Sequence, residues 1–200
     1  MLETMARRRS ARTFGKAITA AMFCVAAFGV PALGDDRSFD DADDADGRFD
    51  VATARHGHDE ITTDQVLVSH GFEFYETWEN EALEAPLNRI VLFFNLDDDS
   101  HAERRLSIDV SEDGSLHAVM IADRRRKQDR VRGYAHVWRS SDRGVEIRFP
   151  TALLANRVGD YQWRITTEYN DDADLECGTV GGVVATCYDS APDEGSYRHR

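Results

Sequence analysis

The chain has 200 residues, of which 24 are basic and 37 acidic, and its formal net charge is −13 at pH 7. Such a charge disfavours nucleic acid and anionic membranes as partners. The length suits one ordinary domain that buries a core of its own.

The first 34 residues are typical of an export signal. Five basic side chains lie between positions 7 and 16, residues 17–30 are mostly small or apolar, and residues 32–34 match the small-x-small pattern of a signal peptidase site. The apolar run has 14 residues, fewer than the roughly 18 to 20 that span a bilayer. We therefore expect cleavage after Gly34 and a secreted, extracellular protein. An uncleaved membrane anchor and a lipoprotein anchored at Cys24 are the alternatives.

Cleavage would change both the charge and the cysteine count. It would remove five basic residues and one acidic residue, which leaves a net charge of about −17 on the mature chain. Two cysteines would remain, Cys177 and Cys187, and we expect them to pair in an oxidising compartment. The pair predicts a structural staple, because a redox-active pair needs a much closer spacing.

Strand signals follow an acidic segment. Residues 35–46 are rich in aspartate and predict an acidic lead-in segment that is extended or disordered. Alternation then predicts a strand near 49–53 and a second one in which five residues share a parity: Val66, Val68, His70, Phe72 and Phe74. Residues 77–85 favour one or two helical turns, and the apolar run at 89–96 predicts a central buried strand.

The second half predicts two hairpins and a last long strand. The first hairpin joins 106–110 to 116–121 through Glu-Asp-Gly, and the second joins 134–138 to 145–149. A single helical turn is expected at 151–156. The last long strand is expected at 161–167, and the tail beyond it holds the expected disulfide.

These elements predict an all-β fold without a long amphipathic helix. We expect an antiparallel β-sandwich of about eight strands with short helical turns, and a closed barrel is the structural alternative. The expected organisation is a signal peptide at 1–34, the acidic lead-in segment at 35–46, and a single β-sandwich domain at 47–200 with a disulfide-bearing C-terminal loop.

Several motifs carry a family resemblance over residues 46–169. They are Gly-Arg-Phe-Asp-Val on the first strand, the apolar strand that ends in Asp-Asp-Asp, and Val-Glu-Ile-Arg-Phe-Pro running into Thr-Ala-Leu-Leu. This order resembles the sandwich superfamily of family-nine carbohydrate-binding modules and DOMON domains. The closing Cys-Tyr-Asp-Ser-Ala-Pro-Asp is similar to small secreted actinobacterial proteins. The resemblance implies extracellular binding of sugars, or of haem, although Met120 is a predicted core residue and no haem ligand pair maps onto the chain.

Calcium is the metal that the acidic clusters favour, because Ca²⁺ takes six to eight oxygen ligands, many from carboxylates on loops. One candidate set follows the central strand and consists of Asp97, Asp98, Asp99 and Glu103. The acidic run that precedes the first strand, residues 40–46, is the second candidate. A solvated acidic loop that binds no ion is the alternative for both. His56 and His58, with Asp59, form a weaker transition-metal candidate that lacks the further ligand zinc needs.

Aromatic side chains could form a platform for sugar rings. Trp78 lies among polar neighbours and predicts an exposed ring, with Tyr75 beside it, and these two are the candidate ligand-binding residues. Trp138 and Trp163 alternate with apolar or ring-bearing neighbours, which predicts core packing. The basic run at 124–127 is expected to pair with acidic loops and not with nucleic acid.

The sequence therefore favours a secreted, non-catalytic binding or accessory domain that takes a carbohydrate or a cell-envelope polymer and has a calcium-stabilised loop. No nucleic acid is expected as a partner, nor a membrane once the signal is cleaved. The alternatives are a secreted hydrolase that uses a carboxylate pair and a structural or inhibitory domain that acts through protein contacts.

Overall fold

A computed structural model describes residues 37–44, 48–62, 65–85, 87–99, 101–122, 130–157, 161–170, 179–180, 183–184 and 186–199. The predicted signal at 1–34, the basic run at 124–127 and Cys177 lie outside these described residues. All described residues belong to one compact unit, Ala32–Arg200. None of the helices in the described ranges is long and apolar enough to cross a membrane.

The described residues form thirteen β-strands and two one-turn 3-10 helices. In chain order the strands are β1 (Arg37–Asp40), β2 (Val51–Thr62), β3 (Gln65–Phe74), β4 (Arg89–Asn95), β5 (Arg104–Val110), β6 (Leu116–Ala122), β7 (Arg130–Arg139), β8 (Gly144–Pro150), β9 (Tyr161–Tyr169), β10 (Thr179–Val180), β11 (Val183–Val184), β12 (Cys187–Ala191) and β13 (Tyr197–His199). The helices are Asn80–Leu83, after β3, and Thr151–Leu154, after β8.

Eleven of the strands form one antiparallel sheet. Their order is β1-β2-β3-β8-β7-β6-β5-β4-β9-β12, and β13 also pairs with β9, while β10 and β11 pair only with each other. Strand β7 joins the two halves of the sheet, because residues 130–135 pair with β6 and residues 136–139 pair with β8. The sheet curls into a half-barrel, so that its inner face encloses the core.

The core consists of the inward-facing parity of each strand, as period-two alternation requires. Strand β4 shows this most clearly, since Ile90, Leu92 and Phe94 are fully buried between β5 and β9. Further core side chains come from both halves of the sheet: Val68, Phe72, Phe74, Leu106, Ile108, Met120, Ile147, Phe149 and Ile165. Burial of these apolar side chains is the main stabilising term of the fold.

Two buried histidines connect the halves of the curled sheet. His70 on β3 is 1% exposed, and its ring centroid lies 4.6 Å from that of Trp163 on β9. His70 Nε2 shares a hydrogen bond of 3.1 Å with the Tyr161 hydroxyl. The neighbouring His56 on β2 accepts a hydrogen bond of 3.3 Å from Trp163 Nε1 at its Nδ1. Polar groups buried this deeply require such partners.

The two ends of the sheet also contact each other through side chains. Phe39 on β1 stacks on Tyr197 of β13 with ring centroids 4.2 Å apart. The Asp189 carboxylate on β12 accepts a hydrogen bond of 2.8 Å from the Val51 backbone N–H at the start of β2. These contacts hold β1 and β2 against β12 and β13 without a shared strand pairing.

The all-β class and both hairpins are confirmed, and the eight-stranded sandwich is wrong. A single curled sheet with more strands replaces two separate sheets. Strand β1 lies within the lead-in segment, which was expected to be extended or disordered; it pairs with β2, and Phe39 packs against the core. Two shorter strands, β12 and β13, follow β9, which was expected as the last long strand.

We expect Tyr161→Phe to lower the free energy of unfolding by on the order of 1–3 kcal/mol, because it removes a hydrogen bond to the buried His70. Urea denaturation followed by tryptophan fluorescence measures the change. Tyr134→Phe is the matched control, since Tyr134 is 72% exposed. An equal effect of the two substitutions would contradict a stabilising role for the buried bond.

Candidate functional site

The outer face of β1, β2, β3, β8 and β7 carries a cleft of about 340 Å³. This volume lies near the lower end of the range of about 300–1,000 Å³ that is typical of small-molecule sites. Strand pairing places the lining residues in two rows across the sheet. One row is Arg55, Gly71, Glu146 and Trp138, and the other is Gly57, Ser69 and Arg148.

Small residues form the floor of the cleft. Gly57, Ser69 and Gly71 follow one another on the outward parity of the paired strands β2 and β3, where longer side chains would fill the space. A Cβ atom on Gly71 would lie 2.5 Å from Arg55 Nε and 2.8 Å from Glu146 Oε1. The glycine therefore allows these two side chains to meet above the backbone.

Two pairs of opposite charge lie in the cleft. Arg55 Nη2 donates to Glu146 Oε1 across Gly71. Arg148 Nη1 lies 3.9 Å from Asp59 Oδ2. The Cζ atom of Arg148 lies 5.4 Å from the centroid of the Trp138 ring. The cleft therefore offers guanidinium donors, carboxylate acceptors and an indole ring within a small volume.

The predicted exposure of Trp78 is wrong. Trp78 is 1% exposed, and its ring packs edge-on against Phe49 and Phe74 with centroids 5.6 and 5.9 Å away. Arg139 covers it at 5.1 Å. Polar neighbours misled the prediction, because Trp78 precedes a helical turn in an irregular segment where the sequence does not show which way a side chain points. Tyr75 is 37% exposed, and its hydroxyl donates to the Asp41 carbonyl.

Trp138 lies on the outer face, so the prediction of core packing is wrong for this residue and confirmed for Trp163. The inward parity of β7 carries smaller residues, of which Val137 is 7% exposed. Gly133 on that parity accommodates Leu153 of the second 3-10 helix, since an added Cβ would lie 2.8 Å from Leu153 Cδ2. The largest rings of β7 therefore mark its outer side.

The three aspartates after β4 are exposed at one end of the sheet. This is expected because burying an unpaired charged side chain is costly, so the chain must leave the core where the apolar strand ends. Oxygens of Asp97, Asp99 and Glu103 lie within 4.8 Å of one another. Asp98 is not part of this group, because Arg198 Nη2 and Gln162 Nε2 donate to its Oδ1 at 2.6 and 2.9 Å. The hydrogen bond from Arg198 lowers the pKa of Asp98 below its usual value.

A second acidic group lies where the two ends of the sheet meet. We call it the aspartate cluster, and its members are Asp41, Asp44, Asp50, Asp189 and Asp193. They form two triads that share Asp189, and the oxygens within each triad lie within 4.8 Å of one another. Asp50 and Asp189 are 3% and 5% exposed. Asp41 and Asp44 belong to the acidic run predicted from the sequence. Asp189 and Asp193 were not predicted because they are more than 140 residues away, and Asp50 was not predicted because it lies beyond the run, at the start of the first predicted strand.

Crowding in the aspartate cluster opposes ionisation. Burial, followed by repulsion from Asp189, Asp193 and Asp44, raises the pKa of Asp41 to about 7. Burial also raises the pKa of Asp189, against the opposing hydrogen bonds from the Val51 and Ser190 backbone N–H groups. A bound cation would relieve both the repulsion and the loss of hydration.

Two further sequence-predicted groups have different outcomes. Cys187 is half-buried at the start of β12, opposite Tyr169 of β9; its expected partner lies outside the described residues, so the disulfide stays a prediction. His56 hydrogen-bonds Trp163 in the core, which makes it a structural residue and removes it from the transition-metal candidate.

Comparison with known proteins gives no match to this chain among family models, curated proteins or solved structures. The resemblance to carbohydrate-binding modules and DOMON domains therefore stays a prediction.

The raised pKa of Asp41 predicts a pH-dependent stability. A carboxyl that ionises near pH 7 when folded and near pH 4 when unfolded binds more protons in the folded state. Its contribution is fully present below about pH 4 and is lost as the pH rises through about 7. Urea titrations in EDTA between pH 4 and 8 should show this loss of unfolding free energy. Asp41→Asn should flatten the profile and Asp97→Asn should not; an unchanged profile in Asp41→Asn would contradict the assignment.

Proposed function

We propose that this protein is an extracellular, non-catalytic binding domain that takes a carbohydrate or a cell-envelope polymer on the outer face of β2, β3, β8 and β7. The cleft above Gly57, Ser69 and Gly71 is the observation that carries this proposal. Its polar side chains and the Trp138 ring suit a ligand with both hydroxyl groups and apolar ring faces.

The charge pairs favour binding over hydrolysis. A glycosidase needs one carboxyl that holds a proton and a second that stays ionised. In the cleft, Glu146 is hydrogen-bonded to Arg55 and Asp59 lies 3.9 Å from Arg148. Both carboxyls in the cleft are thus engaged by a guanidinium partner, an arrangement that suits hydrogen bonding to a ligand.

A protein-contact function is the second candidate, and exposed side chains on the other half of the sheet favour it. Tyr134 and Val131 on β7 are 72% and 54% exposed. They pair across the sheet with Val119 and Ile121 of β6, which share their outward parity. Exposed neighbouring apolar side chains of this kind are typical of protein interaction sites.

We further propose that Ca²⁺ binds at the aspartate cluster and holds the two ends of the sheet together. A separation of 4.8 Å between ligand oxygens is about twice the calcium–oxygen distance of roughly 2.4 Å, so the oxygens of one triad can reach a common ion. The aspartate cluster draws its members from the β1–β2 loop, from β12 and from the turn after β12. An ion shared by these residues would connect the two ends of the sheet. The group at Asp97, Asp99 and Glu103 is the alternative calcium site.

We expect the purified protein to be depleted from solution by at least one insoluble polysaccharide in a panel of cellulose, xylan, mannan and peptidoglycan. Trp138→Ala should abolish that depletion, because it removes the ring beside the cleft. Tyr134→Ala is the matched control on the other half of the sheet and should bind normally. Loss of binding in Tyr134→Ala alone would move the polymer site to the other half of the sheet, and the absence of depletion by every polymer would refute carbohydrate binding.

Millimolar Ca²⁺ should raise the melting temperature well beyond the effect of NaCl at equal ionic strength. A ligand that binds only the folded state stabilises it by about 2.7 kcal/mol at 100 times its dissociation constant. Asp41→Asn combined with Asp193→Asn should remove most of the increment, and Asp97→Asn combined with Asp99→Asn should retain it. The reverse result would move the site to the strand end, and identical effects of calcium and sodium would exclude a specific site.

A further inference from the structure

We propose that the cleft recognises a neutral sugar ring through two adjacent hydroxyl groups, which bind the Arg55–Glu146 pair above Gly71. This inference rests on the proposed carbohydrate-binding function and adds the chemical class of the ligand and the residues that select it.

The donor and acceptor chemistry of the pair fits adjacent hydroxyls. A guanidinium has five N–H donors and no acceptor, while a carboxylate only accepts. The contact between Arg55 and Glu146 joins Nη2 to Oε1, which leaves Glu146 Oε2 and further Arg55 donors for a ligand. One hydroxyl can accept from the guanidinium while its neighbour donates to the carboxylate. Hydrogen bonds to charged groups are stronger than those between neutral groups.

The charge arrangement selects a neutral ligand over an ion. A carboxylate or phosphate group placed at Arg55 would lie beside Glu146, and a cation at Glu146 would lie beside Arg55. Asp59 and Arg148 repeat this pattern along the cleft, with 3.9 Å between their charged atoms. Like charges brought together in a partly desolvated site are repelled. A ligand without net charge avoids this repulsion and uses both members of each pair.

The shape of the cleft admits a ring at the backbone surface. Gly71 lies between Arg55 and Glu146 in the same cross-strand row, and Ser69 and Gly57 continue the low floor in the next row. Glycine within a strand often marks a close approach by a ligand. Trp138 of β7 pairs with Glu146 of β8. It therefore places an apolar ring surface beside the charge pair, where the C–H side of a sugar ring can pack while the hydroxyls reach Arg55 and Glu146.

Gly71→Ala tests the inference directly. The added methyl group would lie 2.5 Å from Arg55 Nε and 2.8 Å from Glu146 Oε1, so these long side chains must move and the pair is displaced. Gly133→Ala is the matched control, since it also adds a crowded methyl group within a strand, 2.8 Å from Leu153 Cδ2 on the inner face. Glu146→Gln is a second variant that removes the carboxylate charge while keeping the size of the side chain.

Calorimetric titration with cellohexaose, xylohexaose, mannohexaose and oligogalacturonate measures the effect, and melting curves confirm that each variant is folded. At least one neutral oligosaccharide should bind more tightly than the acidic one. Gly71→Ala and Glu146→Gln should each weaken that binding at least about tenfold, or about 1.4 kcal/mol, and Gly133→Ala should change it less than about twofold.

Each contrary result is decisive. Tighter binding of oligogalacturonate would overturn the neutral-ligand inference. Neutral binding that survives both Gly71→Ala and Glu146→Gln would place the sugar elsewhere and leave the proposed function intact. If Gly71→Ala fails to fold, Glu146→Gln alone decides. Absence of binding to all four probes and to the insoluble polymers would overturn the inference together with the proposed function.

Discussion

The packing of His70 against Trp163 and Tyr161 is the interaction on which the curled sheet depends. Strand β3 and strand β9 are separated by five other strands in the order of the sheet. Their inner faces nevertheless meet, with His70 and Trp163 ring centroids 4.6 Å apart and a hydrogen bond between His70 and Tyr161. An open sheet would leave these rings in water, so their burial favours the curl and the hydrogen bonds fix its geometry.

The curl also determines what the outer face can do. Because the inner face holds the large side chains, the outward parity of β2 and β3 is free to carry Gly57, Ser69 and Gly71. Glycine inside a strand destabilises the fold by roughly 0.5–1 kcal/mol relative to alanine. At Gly71 the absence of a side chain allows Arg55 and Glu146 to approach each other. Packing of the core does not require a glycine at this outward position. The loss of stability at Gly71 is therefore consistent with the proposed binding surface on the rigid part of the sheet.

The alternation of apolar residues predicted the strands well, because alternate side chains of a strand are buried on one face of a sheet. It gave wrong predictions where contacts with distant segments of the chain decide which side chains are buried. The parity of β3 that carries Val68, His70 and Phe72 is buried as expected. On β7 the same reasoning chose the wrong parity, because Leu153 from a later helical turn fills the space at Gly133. Trp78 was predicted to be exposed because its sequence neighbours are polar, and nothing in these neighbours indicates that its ring packs against Phe49 and Phe74.

The aspartate cluster shows the same limit for charged residues. Sequence proximity grouped Asp97, Asp98 and Asp99, yet Asp98 faces Arg198 near the end of the chain. Asp189 joins Asp41 only because the sheet curls and brings β12 next to the start of β2. Composition could indicate that calcium was worth considering, but not which aspartates would meet, because that depends on contacts more than 140 residues apart.

The proposed calcium site and the cleft share one structural element, strand β2. Asp189 of the aspartate cluster holds the Val51 N–H at the first residue of this strand. Arg55 follows four residues later on the opposite face, where it pairs with Glu146. A cation that stabilises the junction of β2 with β12 would therefore also hold the strand that positions Arg55. By reciprocal linkage, a sugar that orders this strand would strengthen the binding of the cation. Ligands bound at the two proposed sites would therefore be coupled, because both would act on the position of β2.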